Sequence, residues 1–438
     1  MTHTTHTLPW GKGKIELALP ESWHVAASLA PAPLPAVEDV AGEVRRSLQT
    51  PVSSATLSAL YRPGMKVALV VDDSSRPTPV AAIFPGVLAE LQAAGMPRED
   101  LTLVSALGLH RAMLAAEMAQ RTGLPGMQGW QWENHTCDDP QRLVYLGTTS
   151  RGTPVWINKT VAQAGLVVSI GCIEPHIIAS FGGGYKNLIP GVAGRATTAH
   201  NHSLNCTPGT FNMVGQPIEC NPMRLDLEEG GRMLKPPVFI VNTVLNSAAG
   251  VVRVVAGDPV AAHRAGCAVS AAMYGVNIAR PADIVISDSY PMDSDFRQGV
   301  KAIANTVRAV RRGGVMIALV KAEEGVGVFG LADQKLPLGR RGLQLLAPAL
   351  VRLVPRLKIK GLSEEDRFFL YFALQAMRHA TLLMVAPTIP AETKAHLPFV
   401  QFVDSPEEAI RRARQRFPSQ AEVLLFPYGG TTFPVLRQ

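Results

Sequence analysis

The chain has 438 residues, a length from which about three domains would be expected. It is 47% hydrophobic and 18% charged, a composition that excludes intrinsic disorder and predicts a large core. Lysine and arginine number 42 against 35 aspartate and glutamate, so the formal net charge is +7. That excess favours anionic partners weakly and nucleic acid very weakly.

Neither a targeting segment nor a membrane span is predicted. Residues 1–6 lack a charged region followed by an apolar one, so no secretory signal is expected. There is no run of about 18 apolar residues. The five cysteines are an odd number without a Cys-x-x-Cys pair, which argues against a disulfide framework and structural zinc. We therefore expect a cytoplasmic enzyme with no membrane or nucleic-acid partner.

Short apolar runs, closed by loop residues, dominate the first part of the chain. An alternating strand at residues 14–19 comes first, and the runs follow at residues 67–71, 101–106, 143–146, 155–157, 166–170 and 238–245. Runs of this length are typical of strands buried on both faces of a mostly parallel sheet. Helical spacing of apolar residues over 80–94 predicts a helix between the first two runs. The alternation indicates an α/β fold.

A second set of α/β elements begins near residue 280. Strands are predicted at residues 284–286, 315–320, 382–386 and 424–426, the last closing the sheet, and helices at 298–310, 368–380 and 406–417. Residues 311–314 are predicted to end the first of these helices, and 323–330 to form a glycine-rich loop. We expect two α/β domains, residues 1–275 and 276–438, with mostly parallel sheets and the active site in the cleft between them.

Polar residues follow the predicted strand ends, where open α/β sheets place their ligand sites. Residues 72–79 combine two carboxylates, two hydroxyls and Arg76, which can orient a base or bind an oxyanion. His110 follows the strand at 101–106 and is a candidate general base. Turn chemistry and a structural histidine remain the alternatives for these two segments.

The densest cluster of polar and glycine residues runs from 171 to 202. Three adjacent glycines at 182–184 let the backbone approach a bulky ligand, and Lys186 follows them. A P-loop is excluded because Tyr185 precedes this lysine and Asn187 follows it. A lysine in this position is a candidate covalent anchor, as in Schiff-base enzymes. The alternative is a glycine-rich turn with surface histidines.

Two histidines near the end of this cluster are candidate metal ligands. His200 and His202 are two residues apart, so both can face one ligand only in a loop or strand. Neutral imidazoles there would suit nickel, zinc or copper.

A third group of charged residues lies at the predicted start of a helix. Gln298 and Lys301 are three residues apart and hence on one face. With Arg297 they place positive charge at the positive end of the helix dipole, which is unfavourable unless an anion binds there. Solvated charges are the alternative.

Taken together, these segments resemble the lactate racemase family, whose members use the nickel-pincer nucleotide cofactor. The resemblance covers most of the chain in order, and five of its motifs keep the family's spacing. The matching positions are residues 10–12 and 19–20, Asp73 to Arg76, Gly108-x-His110, His176 ten residues before Lys186, the Gly-Gly-x-Lys-x-x-x-Pro-Gly stretch, Asn201-His202 and Gln298-x-x-Lys301.

The resemblance implies a role for each of these residues. His110 and His176 would be the catalytic acid/bases, one for each enantiomer of a 2-hydroxy acid, and His202 the nickel ligand. The cofactor, pyridinium-3-thioamide-5-thiocarboxylate mononucleotide nickel, would be linked covalently to Lys186 and accept the C2 hydrogen as hydride. The remaining roles would be cofactor binding by Asp73, Gly183 and Gly184, and substrate binding by Arg76, Arg297, Gln298 and Lys301. Separate proteins that build the cofactor are implied as partners.

One departure from the family bears on specificity. Arg297 stands where lactate racemases carry a tyrosine, which suggests a substrate with a polar or anionic far end, such as malate or 2-hydroxyglutarate. Alternatively, Arg297 faces solvent or a cofactor phosphate. The competing functions are a C2 epimerase of a longer sugar acid with the same cofactor, a pyridoxal phosphate enzyme with Lys186 as Schiff base, and a non-catalytic cofactor-binding homologue.

Overall fold

The computed structural model describes residues 2–327, 329–355 and 363–436, so the predicted loop at 323–330 is described except for Val328. The strands in this part of the chain are β1 His3–Trp10, β2 Gly13–Pro20, β3 Trp23–Ser28, β4 Val67–Asp72, β5 Leu101–Ala106, β6 Gln131–Asn134, β7 Leu143–Thr148, β8 Pro154–Asn158, β9 Leu166–Cys172, β10 Pro175–His176, β11 Ser180–Phe181, β12 Val238–Leu245, β13 Val251–Gly257, β14 Gly275–Ile278, β15 Ala282–Asp288, β16 Val310–Leu319, β17 Thr381–Val385, β18 Gln401–Val403, β19 Ala421–Phe426 and β20 Phe433–Leu436.

The helices complete the element order. They are α1 Val40–Gln49, α2 Leu57–Leu60, α3 Val80–Ala93, α4 Ala115–Thr122, α5 Lys159–Gln163, α6 Arg195–Ser203, α7 Pro222–Gly231, α8 Ala261–Tyr274, α9 Phe296–Gly299, α10 Lys301–Thr306, α11 Gly330–Asp333, α12 Arg340–Leu353, α13 Glu364–His379, α14 Ala391–His396 and α15 Pro406–Arg416, with short 3-10 turns between some of them. None of these helices is both long enough and apolar enough to cross a bilayer.

Two six-stranded sheets organise the structure. The first has the order β13-β12-β9-β4-β5-β6, and its pairs are parallel except β12 with β13. Every residue of β4 and β9 is buried, which explains why these strands are continuous apolar runs in the sequence. The mixed α/β fold with mostly parallel sheets is therefore confirmed.

The second sheet has the order β18-β17-β16-β15-β19-β3, with all pairs parallel. Its edge strand β3 comes from the beginning of the chain and pairs with β19. The prediction that the strand at 424–426 closes the sheet is therefore wrong, because β3 covers its outer edge. The division of the chain at residue 275 stays a prediction.

Three more of the local predictions differ from the structure. The runs at 143–146 and 155–157 form the antiparallel ribbon β7-β8 rather than strands of the parallel sheet, and Tyr145 on that ribbon is half exposed. Residues 311–314 belong to β16 rather than to the end of a helix; they lie at an irregularity in its pairing with β15, where Arg311 forms an ion pair with Asp283 at 2.5 Å. The predicted helix at 298–310 is also divided, since Val300 separates α9 from α10.

Candidate active site

The loops that follow three neighbouring parallel strands meet at one edge of the first sheet. β4 lies between β5 and β9, so the chain leaves all three strands on the same side of the sheet. These loops line a pocket of about 180 Å³ together with α6, α9 and α10. The pocket lining includes all the predicted site residues except Gly184, namely Asp73, Arg76, His110, His176, Gly183, Lys186, His202, Arg297, Gln298 and Lys301.

A carboxylate orients the first histidine. Asp73 Oδ2 lies 2.6 Å from His110 Nδ1, and Asp73 Oδ1 accepts hydrogen bonds from the Ser75 hydroxyl (2.5 Å) and backbone N–H (3.1 Å). Burial alone would raise the pKa of Asp73, but the hydrogen bonds from His110 and Ser75 outweigh it and lower the pKa to about 2. Asp73 is therefore a carboxylate at neutral pH and accepts the Nδ1–H of His110, which places the lone pair of the neutral ring on Nε2.

The second histidine is held in the opposite way. His176 Nδ1 accepts hydrogen bonds from the backbone N–H groups of Ile178 and Ala179, both at 3.2 Å. Burial, followed by the charges of Lys186 and Arg76, lowers the pKa of His176 well below its ordinary value of 6.5. His176 is therefore neutral at pH 7, and because Nδ1 is an acceptor its proton is on Nε2.

The third histidine of the pocket lies on a helix. His202 is on α6, and its Nδ1 donates to the carbonyl of Thr198, one turn earlier, at 2.8 Å. This bond orients the ring and makes Nε2 the nitrogen with ligand character, as in many histidine metal sites. Because His200 and His202 both lie on this helix rather than in a loop or strand, they do not face one ligand. His200 lies about 200° away around the helix, contacts Thr153 Oγ1 at 2.8 Å and does not line the pocket.

The glycine-rich turn carries Lys186 into the pocket. Gly183 and Gly184 have φ angles of +75° and +64°, a region that favours glycine. A Cβ on Gly183 would lie 2.7 Å from Asn242 Oδ1, and one on Gly184 would lie 3.1 Å from the carbonyl of Pro259. Gly184 therefore packs against the structure behind the pocket, and its role in cofactor binding stays a prediction.

Two further acidic residues line the pocket, of which Asp72 belongs to the predicted carboxylate pair and Glu174 was not predicted to be a site residue. Glu174 forms an ion pair with Arg76, 98 residues away in the sequence, at 2.9 Å. Burial would raise the pKa of Glu174, but the charges of Lys301 and Arg76 lower it, so the side chain is a carboxylate. Asp72 pairs with Arg121 and accepts a hydrogen bond from Thr78. The only signal for Glu174 was its position two residues before His176.

The helices α9 and α10 form another side of the pocket. The Asp295 side chain caps α9 by accepting a hydrogen bond from the backbone N–H of Gln298 at 2.8 Å. Gln298 and Lys301 lie on successive short helices rather than on one, yet both line the pocket with Arg297. Burial lowers the pKa of Lys301, and the nearby carboxylate of Glu174 opposes that effect.

Among the residues that the structure describes, no group of three or more His, Cys, Asp or Glu side chains could hold a metal ion. His202 could therefore contribute one ligand to a metal in this pocket, and the remaining ligands would have to arrive with the bound group.

The chain is similar in sequence to lactate racemases. Residues 10–211 match the lactate racemase N-terminal domain. The lactate racemase of Thermoanaerobacterium thermosaccharolyticum is 29% identical over 329 residues, which cover 74% of this chain and 76% of that protein. The lactate racemase of Lactiplantibacillus plantarum is 28% identical over 394 residues, which cover 88% and 89% of the two chains.

Solved structures show the same fold. The lactate racemase apoprotein from T. thermosaccharolyticum superposes with a TM-score of 0.83 at 24% identity, covering 99% of this chain and 100% of that one. A Thermotoga maritima protein superposes with a TM-score of 0.65 at 15% identity, covering 93% and 100%. These matches in sequence and fold support the lactate racemase family for this chain, and both of the sequence relatives are named lactate racemase.

Proposed function

We propose that this protein inverts C2 of a 2-hydroxy acid, with His110 and His176 as its two acid/base groups. The observation that carries the proposal is that both imidazoles line one pocket and each is engaged through Nδ1, one by Asp73 and one by backbone N–H groups. Both rings are thereby left to react through Nε2. A racemase needs a proton-transfer group for the hydroxyl of each enantiomer, and two such groups are present.

The two imidazole rings differ in which nitrogen carries the proton. His110 has its lone pair on Nε2 and the Asp73 carboxylate behind it, so it accepts the hydroxyl proton of the first enantiomer. His176 has its proton on Nε2 and donates a hydrogen bond from it to the C2 oxygen of the other enantiomer; to transfer a proton there, the ring first takes one up from solvent while His110 releases the one it accepted. The reverse reaction uses the same groups in the opposite sense. Each such transfer is worth roughly 10²–10⁴-fold in rate.

The substrate carboxylate binds between Arg76 and Lys301. Arg76 keeps one amino group on Glu174 and has four more N–H donors in its fork. Lys301 contributes a second positive charge from α10, and Gln298 donates its amide to the carboxylate or to the C2 oxygen.

The residues of the pocket fit the nickel-pincer nucleotide implied by the sequence. His202 would ligate the nickel through Nε2, Lys186 would form the covalent attachment, and Asp73 and Gly183 would border the nucleotide. The fit rests on the donor set, because a single histidine ligand suits a metal that brings its other ligands with it. When bound, this cofactor would take up and return the C2 hydrogen.

The favoured substrates have a polar or anionic far end. The lining holds four cationic side chains, of Arg76, Lys186, Arg297 and Lys301, against three carboxylates, of Asp72, Asp73 and Glu174. Lys186 would attach the cofactor, Arg76 and Lys301 would bind the first carboxylate, and Arg297 in the same lining would bind a second anionic or polar group, as in malate or 2-hydroxyglutarate. A C2 epimerase of a longer sugar acid is the alternative with the same chemistry. A non-catalytic cofactor-binding protein would not need both histidines.

An adjoining apolar cavity supports a second candidate substrate class. This cavity of about 60 Å³ shares Ile177, Val300, Ala304 and Phe369 with the active pocket. Its volume is several times what one water molecule requires, which is room for a short hydrocarbon side chain. A 2-hydroxy acid with an apolar side chain is therefore the competitor to the dicarboxylic acids.

We further propose that the enzyme works in the cytoplasm and depends on the proteins that build its cofactor. The test is to produce the chain with and without those proteins and to offer single enantiomers of malate, lactate and phenyllactate, which have anionic, small and apolar far ends. We expect interconversion, with malate fastest, only in the protein made with the cofactor-building proteins. Absence of any interconversion in protein with a mass increment at Lys186 would overturn the proposal.

A further inference from the structure

A fully buried arginine lies behind the pocket, on α7. The Arg224 side chain is inaccessible to solvent, and its guanidinium donates to three main-chain carbonyls: Ala179 at 3.3 Å, Gly183 at 3.1 Å, and Phe181. Burial lowers its pKa to about 10, so the group is still a cation at neutral pH. A buried cation is unfavourable unless strong acceptors surround it, so these carbonyls are held firmly.

The carbonyls that Arg224 binds belong to the segments that carry two functional side chains. Ala179, whose carbonyl accepts from Arg224, gives its N–H to His176 Nδ1. Gly183, whose carbonyl also accepts from Arg224, accepts the backbone N–H of Lys186 at 3.2 Å. One guanidinium therefore connects the backbone that orients His176 to the backbone that presents Lys186.

Neighbouring buried side chains support the same segments. His263 Nε2 contacts the carbonyl of Gly182 at 2.8 Å, and Asn242 Oδ1 accepts the N–H of Gly184 at 2.8 Å. The carbonyl of Ile178 accepts from the side-chain amides of Asn205 (2.7 Å) and Asn221 (2.8 Å).

Glu228, whose charge acts on Arg224, is bound by another arginine. The carboxylate of Glu228 is bound by both amino groups of Arg264, at 2.7 and 3.0 Å. In the described part of the chain the hydrogen bonds of the Arg224 guanidinium go to the main chain. The guanidinium of Arg224 therefore binds the main chain of the glycine-rich segment rather than a carboxylate.

We propose that Arg224 is a positioning residue of the active site, which holds the His176 ring as an Nδ1 acceptor and sets the position of Lys186 through their shared backbone. The inference rests on the proposed roles of His176 and Lys186. Arg224 itself does not line the pocket, so it would act only through the backbone that it binds.

The test uses the apoprotein, so that it does not depend on turnover. The ¹⁵N shifts of the His176 ring report which nitrogen carries the proton, and a pH titration reports when the ring becomes charged. The variants are Arg224→Lys, which keeps the charge but loses the planar fork, and Arg224→Met, which loses both. Arg46→Met is the control, because Arg46 on α1 also donates to a main-chain carbonyl, that of Val254 at 2.9 Å, away from the pocket.

We expect the wild type and Arg46→Met to keep His176 neutral, with Nδ1 unprotonated, through the range where an exposed histidine titrates, near pH 6.5. In Arg224→Lys and Arg224→Met we expect a mixture of tautomers and titration near that ordinary value. An unchanged His176 spectrum in a folded Arg224→Lys would overturn the proposal, and so would a wild-type ring with a protonated Nδ1. Failure of Arg224→Lys to fold would also overturn it, because the residue would then be a structural one.

The loaded enzyme supplies a second readout. Arg224→Lys should lower kcat on the order of 10²-fold, the loss expected of a group displaced by about 1 Å. KM should change little, because Arg76 and Lys301 are untouched. An inactive wild type with the expected His176 spectrum would refute the proposed function and leave the positioning of His176 intact.

Discussion

Asp73 Oδ2 lies 2.6 Å from His110 Nδ1, whereas the corresponding nitrogen of His176 accepts two backbone N–H groups. One ring therefore donates through Nδ1 and the other accepts through it. The two histidines of the pocket are held in different tautomers by their surroundings, so Nε2 is a hydrogen-bond acceptor on His110 and a hydrogen-bond donor on His176.

Replacing Asp73 by Asn should remove the carboxylate that stabilises His110 when it takes up a proton. We expect kcat to fall roughly 10²–10⁴-fold, the range for loss of a general base. The rate at which each pure enantiomer is converted into the other, measured by chiral chromatography, gives kcat. Ser75→Ala is the control, since it removes one hydrogen bond to Asp73 and leaves the contact with His110. Equal losses in the two variants would contradict the role of the carboxylate.

The stability of the fold should depend on the ionisation of Asp73. Its pKa falls from 3.8 to about 2 on folding, so it stabilises the protein above pH 3.8 and this contribution is lost as the pH falls towards 2. The contribution is on the order of 2 kcal/mol at neutral pH. Urea unfolding of wild type and Asp73→Asn should show a difference that shrinks in this window. If the unfolding free energies of the two proteins changed with pH in parallel, Asp73 would not be the cause of the pH dependence.

His176 should make the fold sensitive to mild acid. Its pKa is well below 6.5 in the folded chain, so the unfolded chain binds more protons and the free energy of unfolding falls as the pH drops below 6.5. In His176→Gln that decline should be smaller. His24→Gln, at an exposed position on β3, is the control and should behave as the wild type. The measurement is denaturant unfolding at a series of pH values.

Covalent attachment of the cofactor should depend on Lys186 alone among the lysines of the pocket. We expect Lys186→Arg, made with the cofactor-building proteins, to lack the mass increment that the wild type shows. Lys301→Ala should keep the increment but lose turnover, because it removes only a substrate contact. Peptide mass spectrometry locates the modification. An increment that persists in Lys186→Arg would move the attachment to another residue.

Arg297 should determine the preference among substrates that differ in the group at the end remote from C2. Arg297→Tyr should lower kcat/KM for malate relative to lactate by roughly ten- to a hundredfold, the value of a hydrogen bond to a charged group. Arg111→Ala is the control, because Arg111 is exposed, pairs with Glu117 and does not line the pocket. An unchanged ratio in Arg297→Tyr would show that Arg297 faces solvent or the cofactor. A preference of the wild type for phenyllactate would favour the apolar cavity instead.

The α/β class and most of the side chains that meet in the pocket could be predicted from the sequence alone. Buried parallel strands such as β4 and β9 are continuous apolar runs, and the residues after such strands are directed to one edge of the sheet. That rule, together with the spacing of the family motifs, identified Asp73, His110 and His176 without coordinates.

The tertiary structure decided what each of those side chains touches. The pairing of Arg76 with Glu174, the position of β3 beside β19 and the carbonyls bound by Arg224 all join residues far apart in the sequence. No local pattern marks such contacts, because a charge is recognisable as buried and paired only once distant segments have packed around it. The helical position of His202 and the ribbon β7-β8 were likewise settled by packing rather than by local pattern.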